Sequence, residues 1–342
     1  MDMQSQNTTN TPLASVLMLA YEQAHLVRDA IAACLAQEGG PYELIFSDDC
    51  SRDGTYETML EAVKGYRGPH MVKVRRNRRN LGIGLHYNEL FAEAKGELFV
   101  TAAGDDISVP SRVRRLVEAW EATDRKVDLI ASHVIDLGDD GQSHGVIEVD
   151  RLEQWHSIED WAARRPYIIG AGQAFTRRLI QRFGLLHPGL FFEDQIMTFR
   201  ALAMGGAVTV PEALVGYRRG GTSRKPVFDS AEAMFAWKQR QTARELAEMY
   251  QLLDDASLVN ATPLMQGHLH KSLLKAEYMQ EISAADNLAS RVRIINRAES
   301  LPFLWKWRRA LHFTFPHATF ILKKAVSALH AQRQARELIQ TS

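Results

Sequence analysis

Residues 15–59, SVLMLAYEQAHLVRDAIAACLAQEGGPYELIFSDDCSRDGTYETM, decide the fold. Val16, Leu17, Met18 and Leu19 form an unbroken apolar run with no polar alternation, the pattern of a strand buried on both faces of a sheet. Helical periodicity follows over 25–36, and Gly39-Gly40-Pro41 stops it. Residues 42–47 make a second apolar run, which ends at Asp48-Asp49. Ser51-Arg52-Asp53-Gly54-Thr55 then supplies turn and cap chemistry ahead of a helix through Val63. Outward from this unit the alternation continues: a strand over 72–75, a helix over 83–94, a strand over 97–102, a helix over 111–122 and a strand over 127–132. Strands alternating with helices predict an α/β fold with a parallel, doubly wound sheet. Past Arg151 the alternation weakens. A hairpin over 136–150 turning at Asp140-Gly141, a helix over 191–205 and a short strand over 207–210 are expected, then only helical periodicity from Asp229.

Three parts follow from this pattern: a polar, disordered lead-in over 1–12, an α/β domain over 13–225 and a helical C-terminal region over 226–342. The chain has 342 residues, 46% of them hydrophobic and 24% charged, so it can build a packed core. Lys+Arg and Asp+Glu both total 41, and the formal charge of zero argues against a nucleic-acid partner. Cys34 and Cys50 stand apart from any zinc-type spacing, which suits a reducing, cytoplasmic setting. The lead-in has no apolar core of the signal-peptide kind, and no run reaches the ~18 apolar residues of a spanning helix.

Ligands of an open parallel sheet bind at the carboxyl ends of its strands. Tyr21 follows the first strand, just after Ala20, and Asp48 and Asp49 end the second. A ring that can stack beside a carboxylate that can accept an N–H suits a nucleobase, while helix capping is the plainer alternative. A second cluster, Arg75, Arg76, Arg78 and Arg79, leads into NLGIGLHYN, 80–88; guanidinium groups suit phosphate oxygens. The fourth strand, GELFVTAAGDD, ends in Asp105-Asp106. One or two carboxylates plus substrate phosphates is the usual way to hold Mg2+ or Mn2+, and such a cation neutralises a departing diphosphate. In FFEDQIMTFRALAMGG, 191–206, Glu193 and Asp194 open a helix. They read either as dipole-complementing acids or as a base for an acceptor hydroxyl.

In this order the segments resemble the inverting family-2 glycosyltransferases of bacterial cell-envelope type, which have the GT-A fold: a Rossmann-like, mostly parallel sheet flanked by helices. The resemblance implies that Tyr21 flanks the base and Asp49 accepts the N3–H of uracil or thymine. Ala20, Asp48, one of Arg78 and Arg79, and Asp105 would complete the donor site. It further implies that Asp106 ligates the metal with Asp105 sharing the ion or meeting the ribose, and that Asp194 is the base with Glu193 its neighbour. The expected activity is transfer of a sugar from a UDP- or dTDP-sugar to a hydroxyl of a glycan or lipid-linked acceptor. The rival readings are a nucleotidyltransferase and a silent nucleotide-sugar-binding or assembly module of the same fold. The segment 217–225, YRRGGTSRK, reads as a loop over the diphosphate or as a basic surface loop. In the tail, Trp305, Trp307, Phe313, Phe315 and Phe320 interleave with Lys306, Arg308, Arg309, Lys323 and Lys324. The stretch 301–336 therefore reads as a peripheral contact with the inner face of an anionic membrane, as a lid, or as a homo-oligomer contact.

Overall fold

A computed structural model of the chain describes residues 11–138, 140–218, 226–322, 324 and 325. The bulk of the expected lead-in (1–10), most of the expected phosphate loop (219–225) and the end of the tail (326–336) lie outside the described residues. The first half alternates as the sequence predicts: β1 (Ala14–Ala20), α1 (Val27–Leu35), β2 (Glu43–Asp48), α2 (Thr55–Val63), β3 (Met71–Arg76), α3 (Ile83–Glu93) and β4 (Leu98–Ala103). Next come β5 (Ile107–Ser108), α4 (Arg112–Glu121), β6 (Leu129–Leu137) and β7 (Ser143–Ile147). Beyond them lie α5 (Ile158–Ala163), β8 (Gln173–Thr176), α6 (Arg177–Phe183), α7 (Glu193–Leu202) and β9 (Ala207–Arg218). The helices α8 (Ala231–Leu258), α9 (Thr262–Ala284), α10 (Leu288–Arg297) and α11 (Phe303–Thr314) complete the described chain.

The strands form one sheet in the order β3-β2-β1-β4-β8-β6-β9-β5, with β7 paired to β6. β1, β2, β3 and β4 run parallel, and their register aligns Ala20 with Asp48 and Leu19 with Ala103. Tyr21, Asp49 and the Gly104–Asp106 turn therefore leave the same edge. β1 and β2 are almost wholly buried, whereas β3, with its Lys and Arg residues, is a half-exposed edge where charge blunts further pairing. The expectation of a mostly parallel sheet holds, with an antiparallel insertion that the sequence did not mark. The four-residue β8, which carries no alternation long enough to be recognised, enters antiparallel between β4 and β6. β9 is also far longer than the expected 207–210; it pairs parallel to β6 and antiparallel to β5 along its second half.

The chain divides into two compact units. One comprises the residues up to Arg224 together with Tyr250–Met265, and the other Lys225–Met249 with Gln266–Ser342. In the first unit, one face of the parallel strands is filled by Val16, Met18, Leu44, Phe46, Val100 and their neighbours, and the alternating residues Leu17, Ile45 and Phe99 are buried on the other. A fully buried ion pair fastens α7 to the end of α8: Arg200 donates to Asp255 through Nε at 2.7 Å and Nη2 at 3.0 Å, and through Nη1 to the Gly184 carbonyl. Gln251 donates to the same carboxylate. The second unit has its own core of Tyr278, Ile282, Ile295, Leu301 and Ala310, with Trp305, Trp307 and Phe313 packed against it.

Removing one partner of the Arg200–Asp255 pair strands a buried charge. Asp255→Ala should lower stability to urea by roughly 3–5 kcal/mol. Replacing both partners, Arg200→Met with Asp255→Leu, should cost less than the sum of the single changes. Additive losses would show that the pair is not coupled.

Candidate active site

Strand β4 delivers its two acids through a turn that tolerates no side chain at Gly104. A Cβ there would lie 2.6 Å from both Ala20 Cβ and Gln23 Oε1. Asp106 is buried, and its Oδ1 accepts the Arg218 N–H at 3.0 Å, a bond made possible by the β5–β9 pairing. The Gln23 side chain hydrogen-bonds Asp105. Burial raises the affinity of Asp105 for its proton, and burial together with the neighbouring Asp105 pushes Asp106 up to about 8.

The second acid pair arrives at the start of α7. Phe192 precedes the helix and offers no side-chain cap. Asp194 Oδ1 accepts the Gln195 N–H at 2.7 Å, so the capping and dipole reading holds in part, while the Asp194 carbonyl accepts the Thr198 hydroxyl at 2.8 Å. Because β8 is antiparallel, the turn before it, Gly170–Gly172, lies at the carboxyl end of β4. A Cβ on Gly170 would come within 3.3 Å of both Asp194 Cβ and Glu193 Oε1. Burial, then the Asp194 charge, pushes Glu193 up to about 8. Asp105, Asp106, Glu193 and Asp194 thus line one cleft of about 350 Å³, with Tyr87 and Arg218 in its walls.

Behind the cleft sits Arg112, a residue to which sequence reasoning assigned no role. Its buried guanidinium donates to Ser108 Oγ and the Thr101 carbonyl, each at 2.9 Å, and to the Ala171 carbonyl. It therefore ties β4 to the 170–172 turn, and its charge lies close enough to Asp106 to favour the ionised acid. Arg112 shares the buried face of α4 with Val113, Leu116 and Trp120. An arginine four residues before a core leucine was the available signal.

The nucleobase candidates lie along the same sheet edge but are not walls of this cleft. Tyr21 is 45% exposed directly after the buried Ala20. Asp48 is buried, accepts the Ser51 N–H and pairs with Arg76 at 3.1 Å. Asp49 accepts Asn77 Nδ2 at 2.7 Å and the Leu81 and Gly82 N–H groups at 2.9 Å each. Three of about four acceptor positions on that carboxylate are therefore occupied by its own loop. Gly82, at φ 74°, lets the backbone turn back to make the last of these bonds. The arginine cluster separates by duty. Arg75 pairs with Glu89 and Glu93 and Arg76 with Asp48 and Glu57, whereas Arg78 and Arg79 are exposed and form no ion pair among the described residues.

The residues fit a divalent cation. Asp105 and Asp106 offer hard oxygen ligands in a buried setting where their mutual repulsion already disfavours the doubly ionised state. The sign of the pH effect follows. Asp106, held up at about 8 in the folded chain against about 4 unfolded, binds more protons folded than unfolded. Stability in chelator should fall as pH rises from about 4 to about 8. Asp106→Asn should flatten that slope by up to about 1.4 kcal/mol per pH unit, one proton's worth. Urea unfolding at several pH values measures it, and an unchanged slope would exonerate Asp106.

Residues 15–182 match the family model for glycosyl transferase family 2, a stretch that contains Asp105 and Asp106 and stops short of Glu193. The chain is 28% identical over 244 residues to the succinoglycan biosynthesis protein ExoO of Rhizobium meliloti, which covers 66% of each chain. The matches to ExoO and three further curated relatives span about a third to two thirds of those proteins' own lengths. Among solved structures it superposes on Staphylococcus aureus TarS 1–349 in complex with UDP-GlcNAc with a TM-score of 0.53 at 15% identity, covering 91% of this chain and 92% of that one. It superposes on the mannosyltransferase PcManGT of Pyrobaculum calidifontis, in complex with GDP-Man and Mn2+, with a TM-score of 0.51 at 16% identity, covering 91% and 87%. Residues 15–182 therefore carry a glycosyltransferase family 2 domain, in a chain with the GT-A fold.

Proposed function

We propose that the chain is an active, inverting glycosyltransferase, dependent on a divalent cation, that moves a sugar from a UDP- or dTDP-sugar to a hydroxyl of a cell-envelope glycan or lipid-linked acceptor. The observation that carries this reading is the convergence of two acid pairs, Asp105-Asp106 and Glu193-Asp194, on one cleft. Asp106, with Asp105, would hold Mn2+ or Mg2+, whose charge offsets that of the departing diphosphate. Arg218 and the exposed Arg78 or Arg79 are the guanidinium groups available to phosphate oxygens. Tyr21 and the remaining acceptor position of Asp49 suit a uracil or thymine edge. The Mn2+ in the PcManGT complex and the UDP-GlcNAc in the TarS complex support the cation and the donor class, and the name of ExoO supports a polysaccharide product.

The two acids of α7 divide the proton chemistry. Glu193, pushed up to about 8, keeps its proton at neutral pH and can donate to a sugar or acceptor oxygen. Asp194, half-buried at the cleft wall, takes the acceptor proton as that oxygen bonds to the anomeric carbon and the bond to the diphosphate breaks. Attack from the face opposite the leaving group inverts the configuration. Asp194→Asn should leave UDP binding in calorimetry nearly unchanged and lower turnover by roughly 100- to 10,000-fold, about 3–5 kcal/mol of barrier. Normal turnover would move the base elsewhere, and lost UDP binding would return Asp194 to a structural role.

The tail supports a peripheral membrane contact through a surface other than the expected aromatic belt. Trp305, Trp307 and Phe313 are partly buried and pack against the core of the second unit. Exposed instead are Leu304 at 81%, Leu311 and Phe315, spaced to share one face of α11 and its end with Arg308. Among the described residues no helix is long and apolar enough to cross a membrane. Truncation after Leu301 would destroy the core, so surface changes are the cleaner test. Leu304→Glu with Leu311→Glu should abolish co-sedimentation with phosphatidylserine vesicles at low salt while sparing UDP binding. Retention of vesicle binding would exclude this face.

A further inference from the structure

The second unit contains a groove of about 550 Å³, formed by α8, α9 and α11, whose chemistry differs from that of the acid cleft. Two half-buried indoles line it, Trp237 and Trp305. Two cations stand beside the second: Lys275 Nζ lies 5.9 Å and Arg309 Cζ 5.6 Å from the Trp305 ring centroid. Neither Lys275 nor Arg309 forms an ion pair with a carboxylate among the described residues, in contrast to Arg115, Arg125 and Arg297, each held by a glutamate. With Lys238, the walls carry three cations against the single carboxylate of Glu245, in a chain whose total charge is zero.

We propose that this groove binds an acidic glycan, an oligosaccharide that carries carboxylate groups. A pyranose presents flat C–H faces that lie well on indole rings, which combine apolar area with a polar N–H. Its hydroxyls need paired donors and acceptors, and Gln241, Thr242 and Ser272 supply them along the groove. Its carboxylates meet Lys275 and Arg309, cations that no acid among the described residues pairs with. The volume lies within the roughly 300–1,000 Å³ of small-ligand sites. A lipid surface fits the groove poorly, because Ala276 and Met279 are its only aliphatic walls. The exposed stripe of Leu304 and Leu311 belongs to a different face of α11, since Trp305 and Arg309 are offset from it around the helix. As a hold on the acceptor chain, the groove rests on the transferase reading and would raise the acceptor's local concentration. Glycan binding itself does not depend on that reading.

The test titrates the full-length chain, without donor, with a galacturonic acid tetrasaccharide and with neutral cellotetraose, following tryptophan fluorescence and calorimetry. Saturable binding of the acidic sugar is expected, about tenfold or more tighter than the neutral one and weakened by salt. Lys275→Glu with Arg309→Glu should reduce it by about tenfold or more while leaving the melting temperature, the stabilisation by UDP and the vesicle co-sedimentation unchanged. Equal affinity for the neutral sugar, insensitivity to the double charge reversal, or no saturation by millimolar sugar would overturn the proposal. Loss of vesicle binding in the charge-reversed chain would likewise overturn it, identifying a headgroup site instead. Because no donor is present, failure here leaves the transfer chemistry untouched, and failure of the Asp194 experiment leaves this binding untouched.

Discussion

Four carboxylates share one buried cleft, and the surrounding architecture accommodates their repulsion. Glu193 and Asp106 relieve part of it by holding protons up to about pH 8. Arg112 relieves more from behind: it is buried, and it fixes the Thr101 and Ala171 carbonyls in place while its charge faces Asp106. Its Nε–H stays buried without a partner among the described residues, at a cost to stability. Acids whose proton affinities are shifted in this way, clustered in one cleft, mark a candidate functional site.

The sheet topology decides which groups can meet there. Parallel strands place every carboxyl end on one edge, which accounts for Tyr21, Asp49 and Asp105-Asp106. A purely parallel sheet would leave Gly170–Gly172 on the far side. Inserting β8 in the opposite direction brings that turn, and Glu193-Asp194 packed on Gly170, to the working edge. The long β9 similarly extends until Arg218 reaches Asp106. Both departures from simple alternation therefore serve the site.

On the loop side of the same edge, two acids hold the neighbouring loops in place. Asp49 stitches the 77–82 loop to the end of β2 through three hydrogen bonds, and Asp48 anchors Arg76 and the start of the 51–55 turn. These bonds order the loop that carries Arg78 and Arg79, so the acids shape this part of the edge whatever they accept from a ligand.

Much of this was legible in the sequence. The unbroken apolar runs of β1, β2 and β4 and the turn chemistry after each are local signals, and they located the sheet edge and the acids at its rim. The hairpin at Asp140-Gly141 and the helix opening at Glu193 were local signals of the same kind. The strand β8 was not legible, because four residues hold too little periodicity to be told from a loop. Nor was the sorting of the arginines: Arg75, Arg76, Arg78 and Arg79 are chemically alike in sequence, and only the positions of Asp48, Glu57, Glu89 and Glu93 in space pair two of them and leave two exposed. The tail's aromatic pattern likewise suggested a belt, but packing turned Trp305, Trp307 and Phe313 inward and Leu304 outward. Local pattern thus determined the elements and the acids at their ends. Tertiary structure alone decided which charges become neighbours, because proton affinity and pairing depend on burial and on contacts between residues up to more than a hundred positions apart, as between Asp106 and Arg218.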